Sequence, residues 1–180
     1  AHALPQNLTP STESDATRPQ PVHRLDYATT GVLLAGKTST SIRLLNQQFA
    51  DKTVKKRYYA ITIGKMKPHG EINTPIDGKP ANTLFRVEAS VPSERFGFLN
   101  LVALQPETGR RHQLRKHLFS IGSPILGDKD YYLPDLLLKG KGLYLHAFSV
   151  KLEHPISQLP LEIASPFPKR FKKIFPEECS

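Results

Sequence analysis

The sequence predicts an α+β fold in a single domain, and three observations support this prediction. Short segments rich in β-branched, aromatic and aliphatic residues follow one another with tight turns between them, which favours a largely antiparallel, mixed sheet. Only a few stretches show the apolar spacing of a helix. The length of 180 residues suits one domain with a sizeable core. We therefore expect a mixed sheet, a few helices and, because the chain is basic, a basic cleft across the sheet.

In the amino-terminal half, an arm leads into two strands that flank one helix. Residues 1–21 are rich in Pro, Ser, Thr and Asn and predict an extended arm, so the domain proper covers residues 22–180. An apolar run predicts a buried strand over residues 31–37. Apolar residues then recur at helical spacing over residues 39–51, after hydroxyl side chains that can cap a helix. Aromatic and β-branched residues over 55–63 predict the next strand, which a glycine ends.

In the carboxy-terminal half, short strands precede a helix, a loop and a last strand. Strands are predicted over residues 71–74, 83–90 and 98–104, with turns at 68–70 and 77–80. An apolar stripe that ends at Ile121 predicts a helix over residues 111–121, which a glycine terminates. Residues 124–132 predict a loop and residues 143–152 a further strand. A short basic helix is expected over residues 169–175.

The charge of the chain points to an anionic partner. The net charge is +9 and the pI is about 9.7. Overall charge alone is equally compatible with a basic protein that binds no polyanion. However, the cations are clustered over residues 52–57, 110–116 and 169–173, and such clusters favour a polyanion such as nucleic acid.

Several classes of protein are excluded by composition. Cys179 is the sole cysteine, which excludes a disulfide framework and a cysteine zinc site within the chain. No apolar run approaches the roughly 20 residues that a membrane span needs. We therefore expect a monomeric, cytoplasmic protein with no membrane contact.

Three segments contain residues suited to chemistry. His23-Arg24-Leu25-Asp26 places one carboxylate between a basic pair and a strand-like run. Residues 56–60 read Lys-Arg-Tyr-Tyr-Ala, with Tyr58 at their centre, and residues 108–117 form a basic segment that contains Arg115. In this order the three segments resemble those of the RluA-type pseudouridine synthases, and the similarity covers residues 21–168.

The resemblance implies a reaction and a set of roles. Enzymes of this type break the bond from C1′ to N1 of a uridine in RNA, rotate the base and rejoin it through C5, with no metal or organic cofactor. Their indispensable aspartate corresponds to Asp26, which acts either as a nucleophile at C1′ or C6 or as a base at C2′. Tyr58 corresponds to the tyrosine that lies against the target uracil, whereas Tyr59 points to the opposite face of its strand. Thr30 stands where the family usually has Ser.

An ionised carboxylate in a partly dry pocket requires a cation beside it. Arg115 is the residue that the resemblance implies, and an arginine fork suits that role. Arg110 and Arg111 compete with it on charge alone, but we interpret both as phosphate contacts. Asp128 is expected to satisfy backbone groups of its loop.

The remaining predictions concern the partner and the extent of the chain. RNA, either ribosomal or transfer RNA, is expected to contact Arg24, Lys55, Lys56, Arg57, Arg110 and Arg111. We expect no metal site, because His112 and His117 lie five residues apart and do not share a helical face. In the resemblance a strand with an Asn-Lys-Pro motif precedes residue 21, so we expect this sequence to be a piece of a longer protein. The alternatives are an inactive RNA-binding module of the same fold and a metal-dependent RNA hydrolase.

Overall fold

A computed structural model describes residues 4–180, so the first three residues of the predicted arm lie outside the described residues. The strands, in chain order, are β1 (Ala16–Pro21), β2 (Thr30–Gly31), β3 (Ala35–Thr38), β4 (Lys55–Ile63), β5 (His69–Ile72), β6 (Thr83–Ser93), β7 (Gly97–Pro106), β8 (Leu145–Glu153) and β9 (Pro160–Ala164). The helices are α1 (Leu4–Asn7), α2 (Ser39–Ala50), α3 (Gln113–Ser120) and α4 (Lys169–Lys172).

Seven of these strands form one mixed sheet. Its order is β2-β8-β4-β7-β6-β5, and β9 pairs with β8 as well. The short β2 runs parallel to β8, and the other pairs are antiparallel. The predicted α+β domain with a largely antiparallel, mixed sheet is confirmed.

The main core lies around the central strands. Ile61 of β4, Leu101 and Val102 of β7 and Leu118 of α3 have almost no exposed surface. The carboxy-terminal segment contributes Phe171 to the same cluster. Since β4 and β7 are buried among these side chains, the central strands form a rigid base for residues at their ends.

A smaller sheet and a second core support the segment that contains Asp26. β1 pairs with β3, and Thr38 caps α2 by accepting a hydrogen bond from the Ser41 N–H at 3.1 Å. The second core combines residues of this unit with residues of β8 and consists of Val22, Val32, Leu45, Val54, Val150 and Leu152. Part of the predicted arm is therefore a strand that packs with the domain.

Some predicted elements differ from those observed. The predicted strand over residues 31–37 is divided, because β2 pairs with β8 and β3 pairs with β1. The turn predicted at residues 68–70 is wrong, because His69 and Gly70 belong to β5 and pair with β6. Ile121 is 42% exposed and does not extend the buried stripe of α3. Among residues 4–180, no helix is long and apolar enough to cross a membrane.

Candidate active site

A cleft of about 830 Å³ brings together residues from both halves of the sequence. It is lined by the segment that enters from β1, the end of α2, the first part of β4, and the connection from β7 to α3. Asp26 and Tyr58 are both in the lining. The connection from β7 to α3 adds Thr108, Arg110 and Arg111, so the cleft joins all three segments that the sequence singled out.

The segment around Asp26 is closed at its base by hydrogen bonds. The N–H of Val22 donates to the Leu34 carbonyl at 3.1 Å, and the N–H of Leu34 donates to Nε2 of His23 at 2.9 Å. The His23 ring also stacks on Phe49, with 5.0 Å between ring centroids. Burial lowers the pKa of His23, which keeps Nε2 free to accept this bond. His23 is thus a structural, hydrogen-bonded residue that fixes the entry to the Asp26 segment.

Gly31 anchors the other end of this segment on β8. It pairs with Ala147 in parallel, at a φ of +113°, and a Cβ at this position would lie 2.1 Å from the Ala147 carbonyl oxygen. On its other side, Ala147 pairs with Tyr58 of β4. One residue of β8 therefore connects the Asp26 segment to the strand that bears Tyr58.

Adjacent tyrosines on β4 have different surroundings. Tyr58 lines the cleft, whereas Tyr59 packs edge-on against Phe148 and Phe167, with centroid distances of 5.1 and 4.8 Å. The alternation of a β-strand accounts for this difference. Of the two tyrosines, Tyr58 is therefore the one placed to meet a molecule in the cleft.

The charge of Asp26 reaches the Tyr58 hydroxyl. Burial raises the pKa of Tyr58 to about 12, and the negative charge of Asp26 contributes to the rise. The hydroxyl is therefore protonated throughout the physiological range. The pair presents one carboxylate and one neutral phenol to the same cleft.

Arg115 does not pair with Asp26, and this prediction is corrected. Its Nε and Nη2 donate to the two carboxylate oxygens of Asp128 at 2.7 and 2.6 Å, and Nη2 also donates to Asp130 at 2.6 Å. The side chains of Arg115 and Asp128 are 7% and 0% exposed, and Arg115 is not in the cleft lining. The loop after α3 folds back onto the helix and supplies these carboxylates, which raise the pKa of Arg115.

Asp128 also organises its own loop, as predicted. Its Oδ1 accepts the backbone N–H groups of Asp130 and Tyr131 at 2.9 and 3.1 Å. The Tyr131 ring lies under the Arg115 guanidinium at 5.0 Å, and its hydroxyl is 3.1 Å from Nδ1 of His112. Arg115 is thus the centre of a network that holds the loop and the start of α3 together.

Most of the predicted RNA contacts line the cleft. Its cations are Arg24, Lys52, Lys55, Lys56, Arg110 and Arg111, and its carboxylates are Asp26 and Glu107. The described residues form five ion pairs, none of which involves any of these six cations. Burial lowers the pKa of Lys56, whose charge also acts on His23. The six cations therefore have no ion-pair partner among the described residues, and a basic cleft stays a prediction.

Arg57 is the exception among the predicted contacts. Instead of the main cleft, it lines a small groove with Leu84, Arg86 and Ala103 of the neighbouring strands β6 and β7. Sequence proximity to Lys56 did not bring Arg57 into the main cleft, because successive side chains of a strand point to opposite faces. Arg57 therefore does not line the main cleft with the other predicted contacts.

Sequence reasoning missed Gln113, whose side chain holds the backbone that leads to Arg110 and Arg111. The buried Gln113 donates from Nε2 to the Asn82 carbonyl at 2.8 Å, and its Oε1 accepts from the Thr108 hydroxyl at 2.7 Å and from the Arg110 N–H at 3.0 Å. Arg110 also donates from Nε to the Pro80 carbonyl. These partners lie up to about 30 residues apart, so no local pattern marks them.

The histidines in the basic segment have protein partners. Nδ1 of His117 is 2.9 Å from the Thr83 hydroxyl, and its Nε2 is 3.0 Å from the Thr74 carbonyl. Over residues 4–180, no three His, Cys, Asp or Glu residues are grouped so that they could hold a metal ion.

Comparison with known proteins gives consistent similarities. Residues 4–120 match the family model described as RNA pseudouridylate synthase. The dual-specificity RNA pseudouridine synthase RluA of Pasteurella multocida is 37% identical over 163 residues, which cover 82% of this chain and 73% of that protein. The ribosomal large subunit pseudouridine synthase C of the same organism is 35% identical over 175 residues, which cover 85% of this chain and 52% of that protein. The chain thus spans about half the length of this second relative.

Two solved human structures have the same fold. Human RNA Pseudouridylate Synthase Domain Containing 1 superposes with a TM-score of 0.74 at 25% identity, over 83% of this chain and 69% of that one. Human RNA Pseudouridylate Synthase Domain Containing 4 gives a TM-score of 0.71 at 28% identity, over 87% and 74% of the two chains.

Proposed function

The chain belongs to the RluA-type family of RNA pseudouridine synthases, enzymes that isomerise uridine to pseudouridine in RNA, and from this premise we propose how its cleft performs the reaction. Asp26 is the reacting carboxylate, Tyr58 lies against the target uracil, and the cations around them bind the RNA backbone. The observation that carries this proposal is the position of Asp26 and Tyr58 in one cleft, close enough for the carboxylate to raise the pKa of the phenol.

Asp26 supplies an ionised oxygen at the ribose. The bond from C1′ to N1 breaks, the uracil turns, and a bond from C1′ to C5 forms. C5 then loses its hydrogen as a proton to solvent and N1 takes up one proton, so the product is an isomer of the substrate. The carboxylate acts either by attack at C1′ or C6 or by removal of the C2′ proton. In both routes it has to be charged. Arg24, the nearest of the cleft-lining cations in sequence, adds positive charge to the same lining.

Tyr58 supplies a surface for the extruded base. A base that leaves its stack loses a few kcal/mol of interaction with its neighbours, and an aromatic side chain restores part of it. Because the phenol stays neutral, it adds no negative charge beside Asp26.

Two polar atoms of the cleft lining support binding of a polar ligand. Thr29 Oγ1 and Asn82 Oδ1 are buried without a hydrogen-bond partner within the described range. Buried polar groups are nearly always paired in folded proteins. A nucleoside, which carries both donors and acceptors, can supply those partners.

We propose ribosomal or transfer RNA as the substrate and a cytoplasmic monomer as the active form. The names of the relatives refer to the ribosomal large subunit and to dual specificity. Folded RNAs of these classes present the unstacked bases that such a cleft can reach. Light scattering measures the mass of the protein alone and bound to a transcript, and so tests whether the active form is a monomer.

The decisive experiment replaces Asp26 with Asn. Tritium release from C5-labelled uridine is measured on unmodified transcripts of large-subunit ribosomal RNA and of transfer RNA. Asp26→Asn should abolish release while RNA affinity stays within a few fold, because the amide keeps the shape but cannot act as nucleophile or base. Asp135→Asn is the matched control, since Asp135 is exposed and lies outside the cleft lining. Multiple turnovers by Asp26→Asn would refute the assignment, and shortened RNA on a denaturing gel would indicate a hydrolase.

A further inference from the structure

Tyr27 is an aromatic residue that the fold leaves in solvent beside the reacting carboxylate. Its side chain is 96% exposed, more than any other large apolar residue among those described. It directly follows Asp26 in the chain, and neither the similarity to relatives nor the roles proposed above assign it a function. A tyrosine normally buries much of its ring. A fully exposed ring beside a cleft is available to stack on a bound ligand.

A tight turn holds Tyr27 in this position. The N–H of Thr29 donates to the Asp26 carbonyl at 3.0 Å, which closes a four-residue turn with Tyr27 and Ala28 at its centre. Ala28 has a φ of +68°, in the left-handed region that a residue with a Cβ rarely adopts. Strained backbone of this kind persists where the surrounding structure imposes it, and it is concentrated at functional sites.

The turn borders the cleft, because the residues at both of its ends line it. Asp26 and Thr29 both line the cleft. Tyr27 is the larger of the two residues between them, and its side chain projects outward into solvent. Arg24 and Arg111 add positive charge to the same lining. An RNA strand that places one uridine against Asp26 would therefore pass its neighbouring nucleotides across Tyr27.

We propose that Tyr27 stacks on a base next to the target uridine. A planar ring suits any nucleobase, because every base has a π-face, and single-stranded or splayed RNA is commonly bound in this way. This inference rests on the proposed function, because it takes RNA to be the molecule that enters the cleft. It adds a binding residue that Tyr58, which faces the interior of the cleft, does not replace.

The test separates stacking from charge. Binding is measured with two probes, a 12-nucleotide oligouridylate and inorganic polyphosphate of equal charge, which has no bases. Tyr27→Ala should weaken binding of oligouridylate by between about fivefold and about a hundredfold, the range for loss of one base–aromatic stack. Binding of polyphosphate should not change. Tyr27→Phe should bind both probes as the wild type does, and Tyr27→Leu should resemble Tyr27→Ala.

Two controls define the site. Tyr132→Ala removes a tyrosine that is 41% exposed but lies outside the cleft lining, and it should leave both affinities unchanged. Arg111→Ala should weaken both probes, which shows that they occupy the cleft. If Tyr27→Ala binds oligouridylate as tightly as the wild type, or if Arg111→Ala weakens neither probe, the proposal is overturned.

A spectroscopic measurement reports the stacking directly. The chain contains no tryptophan, so Tyr27→Trp introduces a single tryptophan whose emission can be excited selectively. Its fluorescence should be quenched by oligouridylate and not by polyphosphate, and equal responses to both probes would contradict stacking.

Failure of this inference differs from failure of the proposed function. If Tyr27 is needed for binding of oligouridylate while no tritium is released from any transcript, the stacking site stands and the isomerase is wrong. If tritium release by Tyr27→Ala at low RNA concentration equals that of the wild type, the stacking role is wrong and the isomerase stands.

Discussion

At the level of single residues, burial and, to a smaller extent, the charge of Asp26 keep the Tyr58 hydroxyl protonated. The phenol has an ordinary pKa of 10.0, which the fold raises to about 12. Above pH 10 a tyrosine of the unfolded chain loses its proton, whereas folded Tyr58 does not. Stability is therefore unaffected by this residue below pH 10 and falls as the pH rises from 10 to 12.

The first prediction follows from that sign. Between pH 10 and 12, Tyr58 should lower the free energy of unfolding by on the order of 2–3 kcal/mol. Tyr58→Phe cannot titrate and should lose less stability over this range. Urea unfolding from pH 8 to pH 11.5 measures the difference, with the exposed Tyr27→Phe as control. If the stability of Tyr58→Phe and of the wild type depended on pH in the same way, the fold would not raise the pKa of Tyr58.

The second prediction concerns Arg115, which pairs with Asp128 instead of Asp26 and therefore stabilises the fold. Arg115→Leu leaves the fully buried carboxylate of Asp128 unpaired, and this should cost about 3–5 kcal/mol of stability. Lys116→Leu is the matched control, because Lys116 pairs with the exposed Asp77 and should cost less than about 1 kcal/mol. Both values come from urea unfolding.

The opposite result for Arg115 would be informative. If Arg115→Leu unfolds at the wild-type urea concentration while tritium release collapses, Arg115 acts on the substrate or on Asp26, and its pairing with Asp128 is not its main role.

At the level of elements, the Asp26 segment depends on how β2 docks on β8. Gly31 brings the two backbones together where no side chain fits. The short strand β2 pairs with β8 through two pairs of residues, and one of them is Gly31 with Ala147, so its position is sensitive to this contact. The placement of Asp26 opposite Tyr58 therefore relies on one glycine of a two-residue strand.

The third prediction tests this contact. Gly31→Ala should destabilise the protein and reduce isomerisation, because the added Cβ would push β2 and the Asp26 segment away from Ala147. Gly97→Ala is the control: Gly97 also has a positive φ, 72°, but an added Cβ would meet nothing within 4 Å. That control should cost only the about 1–2 kcal/mol of a left-handed residue with a Cβ, and should retain activity. Equal effects of both variants would show that backbone conformation, not docking, matters at Gly31.

At the level of the whole molecule, the distribution of charge determines how RNA is bound. Cations of the cleft have no ion-pair partner among the described residues, whereas Arg57 lies in a separate groove. Phosphate contacts release counterions, so affinity should fall steeply with salt.

The fourth prediction compares Arg111 with Arg57. Each phosphate contact on single-stranded RNA contributes about −0.7 to the slope of log K against log salt, so about six contacts give roughly −4. Arg111→Ala should make the slope shallower by about one contact and leave the single-turnover rate at saturating RNA nearly unchanged. Arg57→Ala should leave the slope as it is. Titrations at several salt concentrations decide this, and a change confined to Arg57→Ala would place the RNA on the other groove.

Much of this protein could be predicted from local patterns in its sequence. The spacing of apolar residues located α2 and α3, and β-branched and aromatic residues located β4 with its bounds. Strand alternation also placed Tyr58 and Tyr59 on opposite faces of β4, and the family resemblance selected Tyr58 as the one that faces the base. Each of these features depends on backbone geometry over a few residues, which the sequence expresses directly.

The tertiary structure alone decided which distant groups meet. The sequence analysis paired Arg115 with Asp26, and only the fold of residues 124–132 brings Asp128 and Asp130 to its guanidinium instead. The same holds for β9 on β8, for β1 on β3 and for Gln113 on Asn82. Such pairs depend on how separate elements pack, and a side chain's type states what it can bind but not which partner the packing brings within about 3 Å of it.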